Sequence, residues 1–287
     1  MRNKKSFFKK ARKEKWAIGQ FNFSTLEILK AIFEAASNLR SPIIVATSFG
    51  ESNYFGLEEA ALMVRFFEKK YKIPAFLNLD HAKDLSYIKK AIKAGYDYIH
   101  FDGSELPFRE NIKKTKEVVR LAKKNGIVVE GELGIIGGSS KSLESAPSIE
   151  RMNFTDPEKA LIFVKETGVD LLAVSIGNYH GMVKGRENRS LRIDILKKIK
   201  NLMKDKVFLV LHGGSGISPK AVKKAIENGV VKVNINTELR MAFSGSLREV
   251  LSQTEEIVPY KFMPKSILAV KKVVEKKIKL FGSDNKI

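Results

Sequence analysis

Short apolar runs alternate with amphipathic stretches along this chain, and the alternation repeats eight times. The extended runs are Ala17–Phe23, Ile43–Ser48, Ala75–Asp80, Tyr96–Asp102, Ile127–Leu133, Leu171–Ile176, Val207–His212 and Val230–Asn236. Most are rich in Ile, Val and Leu without strict polar alternation, the pattern of strands buried on both faces. Between them lie Thr25–Asn38, Leu57–Lys70, Asp84–Ala94, Glu110–Lys124, Pro157–Thr167, Ile193–Lys204 and Pro219–Asn228. Apolar residues there recur three and four apart, as in Leu85, Ile88 and Ile92, and predict helices. Ala94-Gly95, Asn125-Gly126, Thr167-Gly168 and Asn228-Gly229 each close a helix just before a strand, because glycine takes the left-handed conformation that ends one. Asp156-Pro157 and Ser218-Pro219 are helix-start signals. Eight βα units predict an α/β fold, the (β/α)8 TIM barrel, with a doubly wound sheet as the alternative.

The length agrees with one barrel domain over residues 1–287, with a basic N-terminal helix and a helical C-terminal extension. Hydrophobic residues make up 44% and charged residues 29%, which supports a large core and excludes global disorder. Cysteine is absent. That excludes disulfides, thiolate ligands and a cysteine nucleophile, so imidazole or carboxylate must hold any metal. No apolar run approaches the roughly 18 residues of a membrane span. Met1–Lys15 is basic and has neither an apolar segment nor a cleavage site. A cytoplasmic protein with no membrane partner is expected. The net charge is 52 − 32 = +20. It attracts phosphates of any kind, but only Met1–Lys15 and Lys271–Lys279 are dense, and no nucleic-acid motif accompanies it. A solvated lysine-rich surface explains most of this charge. Phosphorylated metabolites are the expected partners, without specific nucleic acid.

Two connections exceed the usual length of roughly two to six residues. One runs from Gly134 to about Thr155 and contains Gly137-Gly138-Ser139-Ser140; the other runs from Gly177 to about Leu191 and carries Lys184, Gly185, Arg186 and Arg189. Both follow strands, so both lie at the C-terminal face of a barrel, where such loops cover substrates. Three of the four histidines, His81, His180 and His212, fall at or just past strand ends that converge on the same mouth. Three neutral imidazoles there make a site for zinc or a similar divalent ion with one position open to substrate. His100 lies inside a strand and reads as structural. Asp80 directly precedes His81 and is placed to act as a general acid or base. Asp102, Glu130 and Glu132 reach the same rim, where capping of the following helices is the competing role. His212-Gly213-Gly214-Ser215-Gly216 follows the seventh strand, and Asn234-Ile235-Asn236-Thr237 opens a helix after the eighth. Backbone N–H groups and a helix N-terminus at these two loops form the usual barrel phosphate site. Metal, base and phosphate cradle together indicate chemistry beside a carbonyl on a phosphorylated sugar.

These motifs resemble the class II, metal-dependent fructose-bisphosphate aldolases, including the tagatose-bisphosphate branch. The resemblance runs from about Gly19 to Leu280-Phe281-Gly282-Ser283. It rests on Gln20-Phe21-Asn22, Leu79-Asp80-His81, Phe101-Asp102-Gly103-Ser104, Glu130-Gly131-Glu132-Leu133-Gly134, Ala173-Val174-Ser175-Ile176-Gly177, His180-Gly181, Leu211 to Gly216 and Asn234 to Arg240. It implies that His81, His180 and His212 hold Zn2+ or another divalent ion, and that Asp80 moves the C4 hydroxyl proton. Asp102 and Glu132 match a second, buried metal position. Gly181, Lys184, Gly213, Gly214, Ser215, Asn234, Ile235, Asn236 and Thr237 match the dihydroxyacetone-phosphate site, with Asn22 and Ser48 as weaker matches. The resemblance further implies a monovalent cation (Na+ or K+) near the phosphate and a homo-oligomer, dimer or tetramer. The implied reaction is the reversible cleavage of fructose 1,6-bisphosphate to two triose phosphates. A class I route needs a Schiff-base lysine at a strand end, and none stands there.

Two departures stand out. The family usually places an acid just after the Gly-Gly of the fifth loop, where this chain has Ser139-Ser140. Glu144 is the only acid between residues 134 and 146, and is either its replacement or a solvated loop residue. Asn78 replaces a histidine common before Leu-Asp-His. Other ketose phosphates remain an alternative substrate, and a basic binding protein on a relic barrel is the alternative from another class.

Overall fold

The eight extended runs close on one another. The computed structural model describes residues 4–145, 153–183 and 190–287, apart from the side chain of Ser139. Its strands are β1 (Ile18–Asn22), β2 (Ile43–Ser48), β3 (Ala75–Ala82), β4 (Tyr98–Phe101), β5 (Val128–Leu133), β6 (Gly138–Leu143), β7 (Leu171–Val174), β8 (His180–Val183), β9 (Phe208–Leu211) and β10 (Val230–Ile235). All but β6 and β8 form a closed barrel in the order β1-β2-β3-β4-β5-β7-β9-β10, and β10 returns to β1. Every barrel pair is parallel; Ile43 to Ser48 run residue for residue beside Ala75 to Asp80. This is the predicted (β/α)8 architecture.

The helices are α1 (Ser6–Glu14), α2 (Leu26–Asn38), α3 (Phe49–Phe55), α4 (Leu57–Tyr71), α5 (Leu85–Ala94), α6 (Phe108–Lys124), α7 (Pro157–Thr167), α8 (Ile193–Met203), α9 (Pro219–Glu227), α10 (Thr237–Ser252) and α11 (Pro259–Phe281). Asp84, Asp156 and Ser218 cap α5, α7 and α9 through their side chains. Gly95 and Gly168 end α5 and α7 in the left-handed conformation. The apolar faces of these helices pack outside the barrel with residues such as Leu77, Val129 and Leu209.

Inside the barrel, alternate residues of each strand form layers. The lower layer is apolar: Ile18, Ile44, Phe76, Tyr98, Val128 and Phe208 share one cluster with Phe8 and Ala11 of α1. Phe8 stacks against Tyr98 and Phe208, with ring centroids 5.8 and 5.4 Å away. Lys4 and Lys5, just before α1, pair with Asp97 and Asp170 at the N-terminal ends of the strands. The dense basic N-terminus therefore closes the barrel floor. Two residues further along β1, β3, β4 and β5 the interior becomes polar, with Gln20, Asn78, His100 and Glu130, and the site lies above them.

Two elements depart from the sequence expectation. The long connections after β5 and β7 are not wholly irregular, because β6 and β8 pair as a parallel two-stranded sheet over the mouth. Helix α3 was also unforeseen. Ser48 and Glu51 form a complete capping box at its start, a signal that stands in the sequence as Ser48-Phe49-Gly50-Glu51.

Candidate active site

Asp80 and His81 are neighbours on β3, and a regular strand would turn them to opposite faces. The register of β3 against β4 instead shifts between Leu79 and Ala82, and His81 takes a left-handed backbone conformation with φ 52°. That conformation is strained for histidine and here marks a functional position. It brings the ligand atoms of His81 and Asp80 to the same side, within 4.8 Å of those of His100 and His212.

His81 offers one nitrogen in each direction. Its Nε2 lies 3.1 Å from Nδ1 of His212, and its Nδ1 lies 2.9 Å from Oδ2 of Asp102 and 3.9 Å from Oε2 of Glu132. The His180 ring lies 4.8 Å from that of His81 and 6.0 Å from that of His212. Its Nε2 is buried without a hydrogen-bond partner among the described residues. Orphaned buried nitrogens are costly unless something binds them. The ligand atoms gathered most closely on the Nε2 side of His81 are those of Asp80, His81, His100 and His212, without His180; the orphaned Nε2 of His180, on a ring beside His81, makes it a further candidate to hold a divalent ion with His81 and His212. On the other side, Asp102, Glu132 and Nδ1 of His81 form a second group of closely spaced ligand atoms.

The surroundings set the charge of these groups. Nε2 of His212 is 2.6 Å from Oε1 of Glu130, whose other oxygen accepts from Lys232 at 2.5 Å. Burial, more than the Glu130 contact, lowers the His212 pKa. Burial, with His81 and His212 beside it, holds His180 well below the usual imidazole range. Both imidazoles are therefore neutral at neutral pH, the form that could ligate a metal. Burial opposes the Asp80 charge, but His81, His100 and His212 keep its carboxyl well below the usual range. Asn22 donates to Oδ2 of Asp80 at 3.0 Å and Asn234 to Oδ1 at 3.4 Å, which fixes the carboxylate at the cavity wall.

The cavity measures about 230 Å³, and its wall includes Asn22, Ser48, Asp80, His81, Ser140, His180, Gly181, Gly213, Ser215, Asn234, Asn236, Thr237 and Arg240. Gly213 has φ 60°, and a Cβ there would stand 2.2 Å from the Tyr179 carbonyl oxygen; at Gly214 one would meet Val233 at 2.6 Å. Only glycine allows this loop to lie so close to Tyr179 and to β10. The Asn236 side chain does not cap α10 but donates to Glu51, while Ser215 Oγ accepts from the first-turn N–H of Glu238 at 3.3 Å. A glycine loop beside a helix N-terminus at the cavity wall favours a phosphate.

The family pattern described as fructose-bisphosphate aldolase class-II matches residues 2–286. The chain belongs to the class II fructose-bisphosphate aldolase family. It is 35% identical over 280 residues to a probable fructose-bisphosphate aldolase of Bacillus subtilis, covering 96% of this chain and 95% of that protein. The fructose-bisphosphate aldolase of Geobacillus stearothermophilus is 35% identical, at 98% and 97% coverage. The solved YdjI aldolase of Escherichia coli K12 superposes with a TM-score of 0.84 at 33% identity, covering 98% of this chain and 96% of that one. The protein is thus an aldolase, a carbon–carbon lyase of a metal-dependent family whose substrates are phosphorylated sugars.

Most residues singled out from the sequence of this class II aldolase meet at one mouth, and the exceptions are specific. Ile235 points into the core around the barrel, so its side chain is unavailable to a substrate. Two glycine-loop N–H groups are already engaged, Gly214 with the Asn234 carbonyl oxygen and Gly216 with Oε1 of Glu238. Lys184 lies outside the described residues. Ser140 lines the cavity, whereas Glu144 is exposed just past β6 and is not among the described lining residues. Asn78 donates to Gln20 at 2.8 Å below the site. His100, read as structural, has contacts of that kind: its Nδ1 accepts from the backbone N–H of His81 at 3.1 Å and its Nε2 is 3.3 Å from Oε2 of Glu132. Its ring nevertheless lies 4.6 Å from those of His81 and His212, so its ligand atoms also fall in the cluster with Asp80, His81 and His212. Glu51, Arg240 and Lys232 were missed as site residues; the capping box was the one local sign of Glu51.

Proposed function

We propose that this aldolase reversibly cleaves fructose 1,6-bisphosphate to dihydroxyacetone phosphate and glyceraldehyde 3-phosphate. The observation that carries this reading is a cavity in which His81, His180 and Asp80 stand beside a glycine-lined anion cradle, with His212 buried directly behind His81 at 3.1 Å. His81, His180 and His212 would hold a divalent ion, which we assign as zinc. When bound, that ion supplies Lewis-acid polarisation of the ketose carbonyl. Asp80 takes the proton of the C4 hydroxyl as the C3–C4 bond breaks, and Asn22 and Asn234 keep its carboxylate oriented. Backbone N–H groups of the glycine loop and of the first turn of α10 hold the C1 phosphate, with Ser215, Asn236 and Thr237 around it.

Family likeness further supports a monovalent cation, Na+ or K+, near that phosphate and a homo-oligomeric enzyme, dimer or tetramer. We place the enzyme in the cytoplasm; no described helix is long and apolar enough to cross a membrane. An aldehyde-release assay on fructose and tagatose 1,6-bisphosphates, with and without chelator, tests the reading. Chelator-sensitive cleavage of the fructose substrate is expected, and a zinc-loaded enzyme inert on both would overturn it.

A further inference from the structure

Glu51 is buried, and both of its carboxylate oxygens are used twice. Oε2 accepts from the backbone N–H of Ser48 at 2.8 Å and from Nδ2 of Asn22 at 3.0 Å. Oε1 accepts from Nδ2 of Asn236 at 3.2 Å and from Nη2 of Arg240 at 2.5 Å. Only the Ser48 bond belongs to the capping box of α3, and a glutamine would complete that box equally well. A glutamine, however, accepts through one atom, and its amide nitrogen would face two donors on the other side. The carboxylate is therefore required by the other three partners rather than by the helix.

Those partners lie in the two halves of the site. On one side, Nδ2 of Asn22 is 3.0 Å from Glu51 and also 3.0 Å from Oδ2 of Asp80. Carboxylates only accept, so the two N–H groups of Asn22 are divided between them. Its Oδ1 then faces Nε2 of Gln20 at 3.4 Å, and Gln20 in turn accepts from Asn78 at 2.8 Å. Glu51 thus fixes which way the Asn22 amide is turned; with the amide reversed, a carbonyl oxygen would stand against Asp80. On the other side, Asn236 is the residue before α10 and Arg240 lies in its first turn, so both belong to the phosphate cradle. Arg240 also offsets the charge of Glu51 and donates from Nη1 to the Ser140 carbonyl oxygen of β6 at 3.1 Å.

We propose that Glu51 is a positioning residue of the aldolase reaction, joining the C1-phosphate cradle to Asp80. Through Asn22 it keeps the Asp80 carboxylate aimed at the C4 hydroxyl, and through Asn236 and Arg240 it shapes the start of α10. Holding of the phosphate and transfer of the C4 proton then depend on one buried carboxylate that itself touches neither. A fixed group of this kind serves both steps by removing alternative orientations before substrate arrives. The inference rests on the aldolase reading above.

The test reads two quantities in the zinc-loaded enzyme. The single-turnover rate of fructose 1,6-bisphosphate cleavage reports on Asp80, and the dissociation constant of dihydroxyacetone phosphate, by calorimetry, reports on the cradle. Glu51→Ala is expected to worsen each by about tenfold or more, the size of losing hydrogen bonds to a charged acceptor. In an Asn22→Ala background, Glu51→Ala should slow cleavage no further, because its effect on Asp80 runs through Asn22, whereas general structural damage would multiply. Glu51→Gln preserves the α3 cap and can satisfy one pair of donors only, so it should unfold like wild type and lose either rate or affinity by about tenfold or more. Either quantity unchanged in a folded Glu51→Ala enzyme, both unchanged in Glu51→Gln, or cleavage losses that multiply with Asn22→Ala would overturn the inference and leave the aldolase reading standing. If the wild-type enzyme cleaves neither fructose nor tagatose 1,6-bisphosphate, the aldolase reading itself fails and takes the inference with it.

Discussion

Nε2 of His212 sits 2.6 Å from Oε1 of Glu130, and that contact decides which nitrogen of the ring faces the cavity. A carboxylate only accepts, so Nε2 carries the proton and Nδ1 presents its lone pair towards His81, 3.1 Å away. Lys232, 1% exposed, holds the second oxygen of Glu130. Glu130→Gln should therefore weaken divalent-ion affinity roughly 10–100-fold, as loss of such an orienting partner does. Competition against a fluorescent chelator measures it directly. Unchanged affinity would mean that the ring is oriented by something else.

Turnover should depend on the ion held by His81, His180 and His212. Chelation is expected to abolish it, and zinc or cobalt to restore it. His212→Ala should bind the ion poorly even when folded, as read by metal content after gel filtration. Full activity in a metal-free preparation would refute the assignment.

Asp80→Ala should retain the ion and dihydroxyacetone phosphate but lose about 10²–10⁴-fold in cleavage, the usual contribution of a general acid–base group. Binding by calorimetry and single-turnover cleavage separate the two effects. A loss under about tenfold would assign the C4 proton to another group.

The Glu130–Lys232 pair predicts a pH dependence with a definite sign. Burial raises the Glu130 carboxyl, but Lys232, His100 and His212 outweigh it and bring its pKa below the ordinary 4.5. A carboxylate depressed in the folded state gives stability that is complete above 4.5 and lost as pH falls below it. Lys232→Met leaves a buried charge unpaired and should cost about 3–5 kcal/mol at neutral pH. That deficit should shrink as pH falls and Glu130 becomes protonated. Thermal unfolding of metal-free protein across pH reads the gap; a constant gap would contradict the pairing.

Phe8→Ala tests the barrel floor independently of the site. Phe8 is fully buried against Tyr98 and Phe208. Its truncation should cost about 3–5 kcal/mol in denaturant unfolding. The kcat/KM measured well below the melting temperature should stay near wild type, because the polar interior separates the floor from the mouth. A large kinetic loss without a stability loss would show that α1 does more than close the barrel.

The periodicity by itself determined a parallel α/β sheet of eight strands. Runs such as Ile43–Ser48 and Leu171–Val174 are apolar on both faces, as in a doubly wound sheet or a barrel, and the return of β10 to β1 decided for the barrel. Strand-end positions likewise made His81, His180, His212 and Asp80 legible, because parallel strands of a closed sheet all end on one face. What the sequence could not express was proximity across the barrel. Lys232 looks like an ordinary strand residue, yet curvature brings it from β10 to Glu130 on β5, with β9 and β7 between them round the barrel. The parallel pairing of β6 with β8 joins two segments with no alternation of their own, so only the barrel that brings their ends together creates it. The contact between Glu51 and Arg240 spans 189 residues of chain. Local patterning fixes which face a side chain takes, whereas the partner it meets there is decided by closure of the sheet.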